Sequence, residues 1–238
     1  MAVFDASSKV SIIVPTLNEE ALIGKVLQNA RKVAPGSEII VVDGGSKDGT
    51  RKIAIKYAIV LRAKGRVGAA RNFGARAAKN DILLFLDADT FLNKTFLERA
   101  LSAFHDPKVV GAGGRIMPER LDPLERLFFE ICNLMIAASF AIQKPNLAGT
   151  CVMYRKSAFF RAGGFDETRA ASEDFDLTER IAKVGKVKFL WRVNTRTAKR
   201  RLAELGLFGL MMDWGRTTVK YVMGIKEQEY AAIRKKAK

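Results

Sequence analysis

Four short apolar runs punctuate the first hundred residues: VSIIV (10–14), EIIVV (38–42), AIVLRA (58–63) and ILLFL (82–86). Each is too short for a helix and rich in Val, Ile or Leu, the pattern of strands buried on both faces; AIVLRA is the weakest. The stretches between them read as helices. Strands alternating with helices predict a mostly parallel, Rossmann-like α/β sheet with helices on both faces. Ligands of such sheets bind beyond the carboxyl ends of the strands. There the sequence places PTLNEE, DGGSKDGT and DADT, after the first, second and fourth runs.

Beyond residue 105 the rhythm changes. VVGAGGRI reads as a strand, and 121–142 as a long helix started by Asp122 and Pro123. NLAGTCVMYR is strand-like, a loop-helix follows and stops at Gly185, KVKFLW is a last strand, and residues 199–223 form a basic helix. The terminal AAIRKKAK is expected to fray.

The chain of 238 residues is long enough for a real core, and 48% of it is hydrophobic. Cys132 and Cys151 lie in apolar surroundings and read as buried thiols, without metal spacing or a disulfide framework. The first residues lack a basic n-region and cleavage site, so a cytoplasmic location is expected. Forty-one Lys and Arg face 25 acidic residues, a net charge of +16. That excess favours an anionic partner: nucleic acid, an acidic membrane face or a phosphorylated substrate. A nucleic-acid-binding protein is therefore a rival reading. Dispersed basic residues, without an aromatic-studded recognition motif or zinc pattern, count against it.

Four polar clusters could carry chemistry. Asp87 and Asp89 end the fourth run; in an extended segment, residues two apart point the same way, so both carboxylates could face one Mg²⁺ or Mn²⁺ shared with phosphates. A solvated acidic turn is the alternative. Asp43 ends the second run, where a carboxylate can bond a ribose hydroxyl or base edge while Gly44 and Gly45 admit the backbone. Arg66 and Arg71 stand near a helix start and could meet a diphosphate, or lie on a solvated surface. Ser172, Glu173 and Asp174 crowd another helix start, where a carboxylate could serve as a general base or simply cap.

The segments SIIVPTLNEE, IIVVDGGSKDGT, GAARNFGARAA, LLFLDADT, GTCVMYRKSAFFRAGGFDE and SEDFDLTERIAKVGKV, in that order, resemble the family 2 inverting glycosyltransferases of GT-A fold, over about residues 9–201. The resemblance implies one GT-A domain: residues 9–115 as a nucleotide-sugar-binding half, 116–198 as an acceptor half and 199–238 as a basic amphipathic helical tail. It implies a nucleoside-diphosphate sugar, of UDP or GDP type, as donor. Pro15, Asn18, Glu19 and Asp43 would line the base and ribose site, with Lys47 and Arg71 at the diphosphate. Asp87 would approach the ribose or sugar, and Asp89 would bind the divalent metal. Asp174 would deprotonate the acceptor hydroxyl, beside Glu173 on the acceptor side. Two departures bear on this. Gly44 stands where many relatives have a second Asp, and the Gln-x-x-Arg-Trp signature of processive synthases is absent, so single-sugar transfer is expected. A polyprenyl-phosphate glycosyltransferase is the nearest alternative, although the Glu-Asp pair favours a hydroxyl acceptor. A nucleotidyltransferase would need a Gly-rich signature where PTLNEE stands.

Five basic residues fall between Arg192 and Arg201, either a solvated helix start or a contact to an anion. Residues 127–142 and 205–214 are strongly apolar for surface helices, and Lys199, Arg200, Arg201, Arg216 and Lys220 flank the second. They suit a peripheral contact with an anionic membrane and a lipid-linked acceptor, or packing on the core or in a homodimer.

Overall fold

The structure is a computed structural model and describes residues 10–118 and 120–226. The expected strand–helix alternation is present. In chain order it runs β1 (Val10–Thr16), α1 (Ile23–Val33), β2 (Glu38–Asp43), α2 (Thr50–Ala54), β3 (Ile59–Arg62), α3 (Val67–Ala77) and β4 (Ile82–Leu86). Then come β5 (Thr90–Phe91), α4 (Lys94–Ala103), β6 (Val109–Ile116), α5 (Pro123–Ala141), β7 (Cys151–Arg155), α6 (Lys156–Arg161), α7 (Glu173–Ala182), β8 (Lys186–Thr197) and α8 (Arg200–Val222).

The eight strands are ordered β3-β2-β1-β4-β7-β6-β8-β5. β1 to β4 are parallel, and β7 enters antiparallel between β4 and β6. The apolar runs serve both faces by strict alternation. Val10, Ile12, Val14, Ile39, Val41, Leu84 and Leu86 belong to one core cluster; Ile13, Ile40, Val42, Leu83 and Phe85 belong to the other. A run without polar residues is therefore a two-sided strand, as its pattern requires.

Three departures from the sequence reading matter. The last strand runs to Thr197, six residues past KVKFLW: Val193 and Thr195 are buried, and Thr195 Oγ1 donates to the Arg115 carbonyl at 2.9 Å. Its end pairs with the two-residue β5, a strand too short to leave a periodic signal. The C-terminal helix is not continuous, because Gly206 takes φ 65° and kinks it. The long α5 starts as expected, with Asp122 and Glu125 forming a reciprocal capping box ahead of Pro123. It packs through Phe129 and Ile136 onto Leu202 and Leu210 of α8, forming a third core cluster. Cys151 is buried and Cys132 half-buried; both thiols are free and pushed above their usual range by burial. The terminal AAIRKKAK lies outside the described residues.

Candidate active site

The carboxyl ends of β1, β2 and β4 form one rim. At β1 and β2, whose ends pair Thr16 with Asp43, two loops are stitched together. Asn18, at φ 53°, donates its backbone N–H to Ser46 Oγ (2.9 Å) and accepts from the Lys47 N–H at Oδ1 (2.9 Å). Glu19 donates its N–H to Thr50 Oγ1 at 2.7 Å. Asp43 is 1% exposed, and its carboxylate accepts from the N–H groups of Gly45 (3.3 Å) and Ser46 (3.2 Å). It thus builds the loop that would meet a ligand. Pro15 is buried on β1, Lys47 is exposed, and Arg66 donates to the Thr168 carbonyl.

The Asp87–Asp89 segment is not extended. Thr90 N–H returns to the Asp87 carbonyl at 3.0 Å, closing a turn, so the argument from strand alternation does not govern it. The two carboxylates meet different cations. Asp87 Oδ1 lies 2.8 Å from Arg71 Nη2, while Asp89 Oδ2 lies 3.8 Å from Arg200 Nη2, and Arg200 also pairs with Glu19. The turn is pinned from both sides: Asp87 N–H donates to the Thr150 carbonyl and Ala198 N–H to the Asp89 carbonyl, each at 2.9 Å.

Arg71 is the centre of the site. It is 3% exposed, and its Nη1 reaches Glu173 Oε1 at 2.8 Å while Nη2 also donates to the Gly149 carbonyl at 3.2 Å. Its guanidinium lies 5.2 Å from the Phe165 ring centroid, a cation–π contact. Burial alone would lower its pKa; Asp87, then Glu173 and Asp174, outweigh that and raise it. α3 can carry this arginine so close to the sheet because Gly74, about one turn on, lies on Ile13 and Val42. A Cβ there would stand 2.5 Å from Ile13. Arg71 therefore bridges the β4 end to α7 across 102 residues of sequence.

α7 opens at Ser172, φ 58°, with Glu173, Asp174 and Asp176 in its first turn, where the helix dipole favours carboxylates. Asp174 is half-buried; Oδ2 accepts from the Gly149 N–H at 2.7 Å and Oδ1 from the Phe175 N–H at 3.0 Å. Burial, and then the neighbouring Glu173, raise its pKa, and the Gly149 N–H and Arg71 only partly oppose them. Asp89 rises to about 6, through burial first and Asp87 second; Arg200 pulls it down and Glu19 pushes it up.

Asp89 fits a divalent cation. It is a half-buried oxygen donor beside Asp87 and Glu19, is held at its charged end by a 3.8 Å ion pair and a long 3.4 Å hydrogen bond from Thr90 Oγ1, and is reluctant to ionise alone. Among the described residues no group of three or more His, Cys, Asp or Glu makes a complete cage. A cation here would need oxygens from a bound phosphate, as Mg²⁺ and Mn²⁺ commonly do.

The structure thus gathers Glu19, Arg71, Asp87, Asp89, Glu173 and Asp174 in one linked set, with Pro15, Asn18, Asp43 and Lys47 in the adjoining loops. Three contributors were not singled out by sequence. Arg200 was one cation within a basic run. Gly149 looked like strand sequence. Asn72 holds the 163–167 loop through Phe165 and Glu167, at 2.8–2.9 Å, and only its position one residue after Arg71 pointed to it.

A family model described as glycosyl transferase family 2 matches residues 11–161. The chain belongs to that family. It is 30% identical over 164 residues to the O-antigen chain rhamnosyltransferase WbaN of Salmonella anatum, covering 63% of this chain and 52% of that protein. It is 31% identical over 191 residues to glycosyltransferase AglE of Haloferax volcanii, covering 74% and 62%. The chain spans about half the length of the curated relatives it matches. Among solved structures, the mannosyltransferase PcManGT from Pyrobaculum calidifontis, in complex with GDP-Man and Mn²⁺, superposes with TM-score 0.73 at 22% identity, covering 93% of this chain and 66% of that one. Glucosyl-3-phosphoglycerate synthase from Mycobacterium tuberculosis, with Mn²⁺, UDP and phosphoglyceric acid, gives TM-score 0.62 at 20% identity, covering 94% and 82%. These likenesses establish the fold as the expected GT-A arrangement.

Proposed function

We propose that this chain is a metal-dependent inverting glycosyltransferase that moves one sugar from a nucleoside-diphosphate sugar to an acceptor hydroxyl. The observation that carries the reading is the Asp87–Arg71–Glu173 bridge, which sets the half-buried Asp174 against the acidic rim at β4. The nucleotide lies over the loops after β1 and β2, within residues 9–115, with Asn18, Glu19, Asp43 and the buried Pro15 shaping the base and ribose site and Lys47 near the diphosphate. Asp87 faces the sugar side. Asp89 would hold Mg²⁺ or Mn²⁺, which when bound offsets charge on the departing diphosphate. The acceptor enters on the side of residues 116–198. Its hydroxyl oxygen attacks the anomeric carbon as the bond from that carbon to the diphosphate oxygen breaks. The hydroxyl proton passes to Asp174, the diphosphate leaves with the electron pair, and a single displacement inverts the centre.

The buried Arg71 guanidinium holds two carboxylates and a carbonyl through Nη1 and Nη2 and leaves its Nε without a hydrogen-bond partner, so it is read as positioning both sides of the site beside the diphosphate. Solved relatives of the same fold with GDP-Man and Mn²⁺, or with UDP-GlcNAc, support a sugar nucleotide as donor. The acceptor is read as lipid-linked, met at an anionic membrane face. α5 and the tail helix α8 leave large apolar side chains exposed, among them Leu134, Ile142, Phe208 and Met212. No described helix is long and apolar enough to cross a membrane.

Thermal unfolding against UDP-, GDP- and dTDP-sugars with Mn²⁺ tests the reading. The correct donor at about a hundred times its Kd should stabilise the fold by about 2.7 kcal/mol. No stabilisation by any donor would remove the proposal.

A further inference from the structure

A second concavity lies away from the site, an open cleft of about 1150 Å³. It sits where β6 and β8 begin and β7 ends, at the opposite edge of the sheet from Asp87 and Asp174. β6 spans eight residues, so the two edges stand roughly 23 Å apart at 3.3 Å per residue. Lys108, Lys144, Arg155, Arg161, Lys183 and Lys186 line the cleft. The carboxylate in its lining, Glu179, is hydrogen-bonded to Tyr221 of α8. Arg155 is half-buried, and backbone carbonyls hold its guanidinium: Phe104 at 2.5 Å, Val109 at 2.8 Å and Asp106 at 3.3 Å. Its charge is fixed in place and not cancelled by those neutral groups. Cations confined to a concave wall concentrate a positive potential and raise the local concentration of anions.

We propose that this cleft is a second binding site, for a phosphate-bearing anion. Arg and Lys donors around one hollow suit the oxygens of a phosphate, which accept several charge-assisted hydrogen bonds at once. The inference is independent of the reaction proposed above. The surroundings favour a phosphate presented at an anionic bilayer. α5 starts at its Asp122 cap and runs 19 residues, about 28 Å, to reach the cleft with Phe140 in its last turn and Gln143 and Lys144 just beyond it. Along it Leu127, Ile131, Leu134, Met135 and Ile142 are exposed, and no charged residue occurs from Ile131 to Gln143. An apolar stripe that ends in a basic hollow matches acyl chains beside a headgroup phosphate.

The test uses metal-free protein, so that phosphate has no cation to follow into the donor site. Inorganic pyrophosphate is titrated by calorimetry, and co-sedimentation is measured with phosphatidylglycerol and with phosphatidylcholine vesicles at low and high salt. The comparison is a triple variant, Lys108→Glu, Lys183→Glu and Lys186→Glu, all at exposed positions. A Lys→Gln version serves if the reversal impairs folding. Binding should fall about tenfold or more in the variant, given the electrostatic worth of each lysine near an anionic surface. The donor-induced thermal shift with Mn²⁺ should be unchanged. Binding to phosphatidylglycerol alone assigns a lipid headgroup; binding to pyrophosphate alone assigns a soluble phosphate. The proposal is overturned if neither probe binds, or if the triple variant binds as well as the wild type.

Discussion

Replacing Asp89 by Asn should make the metal-free protein more stable and at the same time remove its response to metal and donor. Asp89 is 19% exposed at its side chain, and its pKa stands at about 6 against an ordinary 3.8, because burial and Asp87 penalise the charged form. A folded-state pKa raised above the unfolded value means that the fold favours the protonated acid. The stability this contributes is complete below about pH 4 and is lost as pH rises through about 6. At about 1.4 kcal/mol per pH unit between those values, the carboxylate costs the fold about 3 kcal/mol at neutral pH. Asn keeps the shape and sheds the charge. The Arg200 contact it loses, at 3.8 Å and partly solvated, is worth less than about 1 kcal/mol. For a chain of this size the gain amounts to about 6–12 °C in Tm. Thermal unfolding of wild type and variant, without metal, from mildly acid to mildly alkaline pH is the assay. The variant should gain on the wild type from about pH 4 to 6 and hold a constant lead above. Equal stability at pH 8, or a lead that does not shrink towards pH 4, would refute the argument. Mn²⁺ with a donor should then stabilise the wild type and leave the variant unmoved.

Three further outcomes are expected. Asp174→Asn should retain the donor-induced thermal shift while transfer falls about 10²–10⁴-fold. Since a raised pKa leaves the wild-type base protonated in acid, wild-type transfer should climb with pH through about 7, and a flat profile would contradict the assignment. Arg71→Met leaves Asp87 and Glu173 facing each other without their cation, and should cost about 3–5 kcal/mol in urea unfolding; a loss near zero would show that the bridge does not hold the site. Gly164→Ala should destabilise by about 1–3 kcal/mol, because φ is +67° and the new Cβ would meet Asn72 Oδ1 at 2.7 Å. A wild-type Tm would show the loop to be laxer than that contact implies.

The local grammar of this chain is legible without coordinates. Val10–Thr16, Glu38–Asp43 and Ile82–Leu86 announce themselves as two-sided strands because a fully covered sheet needs apolar residues in both phases. Asp122 and Pro123 announce a helix start because capping needs a side-chain acceptor and tolerates a missing N–H. Asp87 could be singled out in the same way, because a carboxylate that follows a buried strand must find a counter-charge or hydrogen-bond donors, whereas the parts given to Glu19 and Asp174 came through the family resemblance. Which counter-charge a carboxylate finds was decided only by the tertiary fold. Arg71 reaches Glu173 across 102 residues, and Arg200 reaches Glu19 across 181; no periodicity encodes either meeting. The two-residue β5 and the polar end of β8 exist because each supplies the other's ladder, and the six cations of the basic cleft come from four separate stretches of chain. Sequence fixes what each segment prefers over a few residues; long-range pairing fixes which charges must share one space.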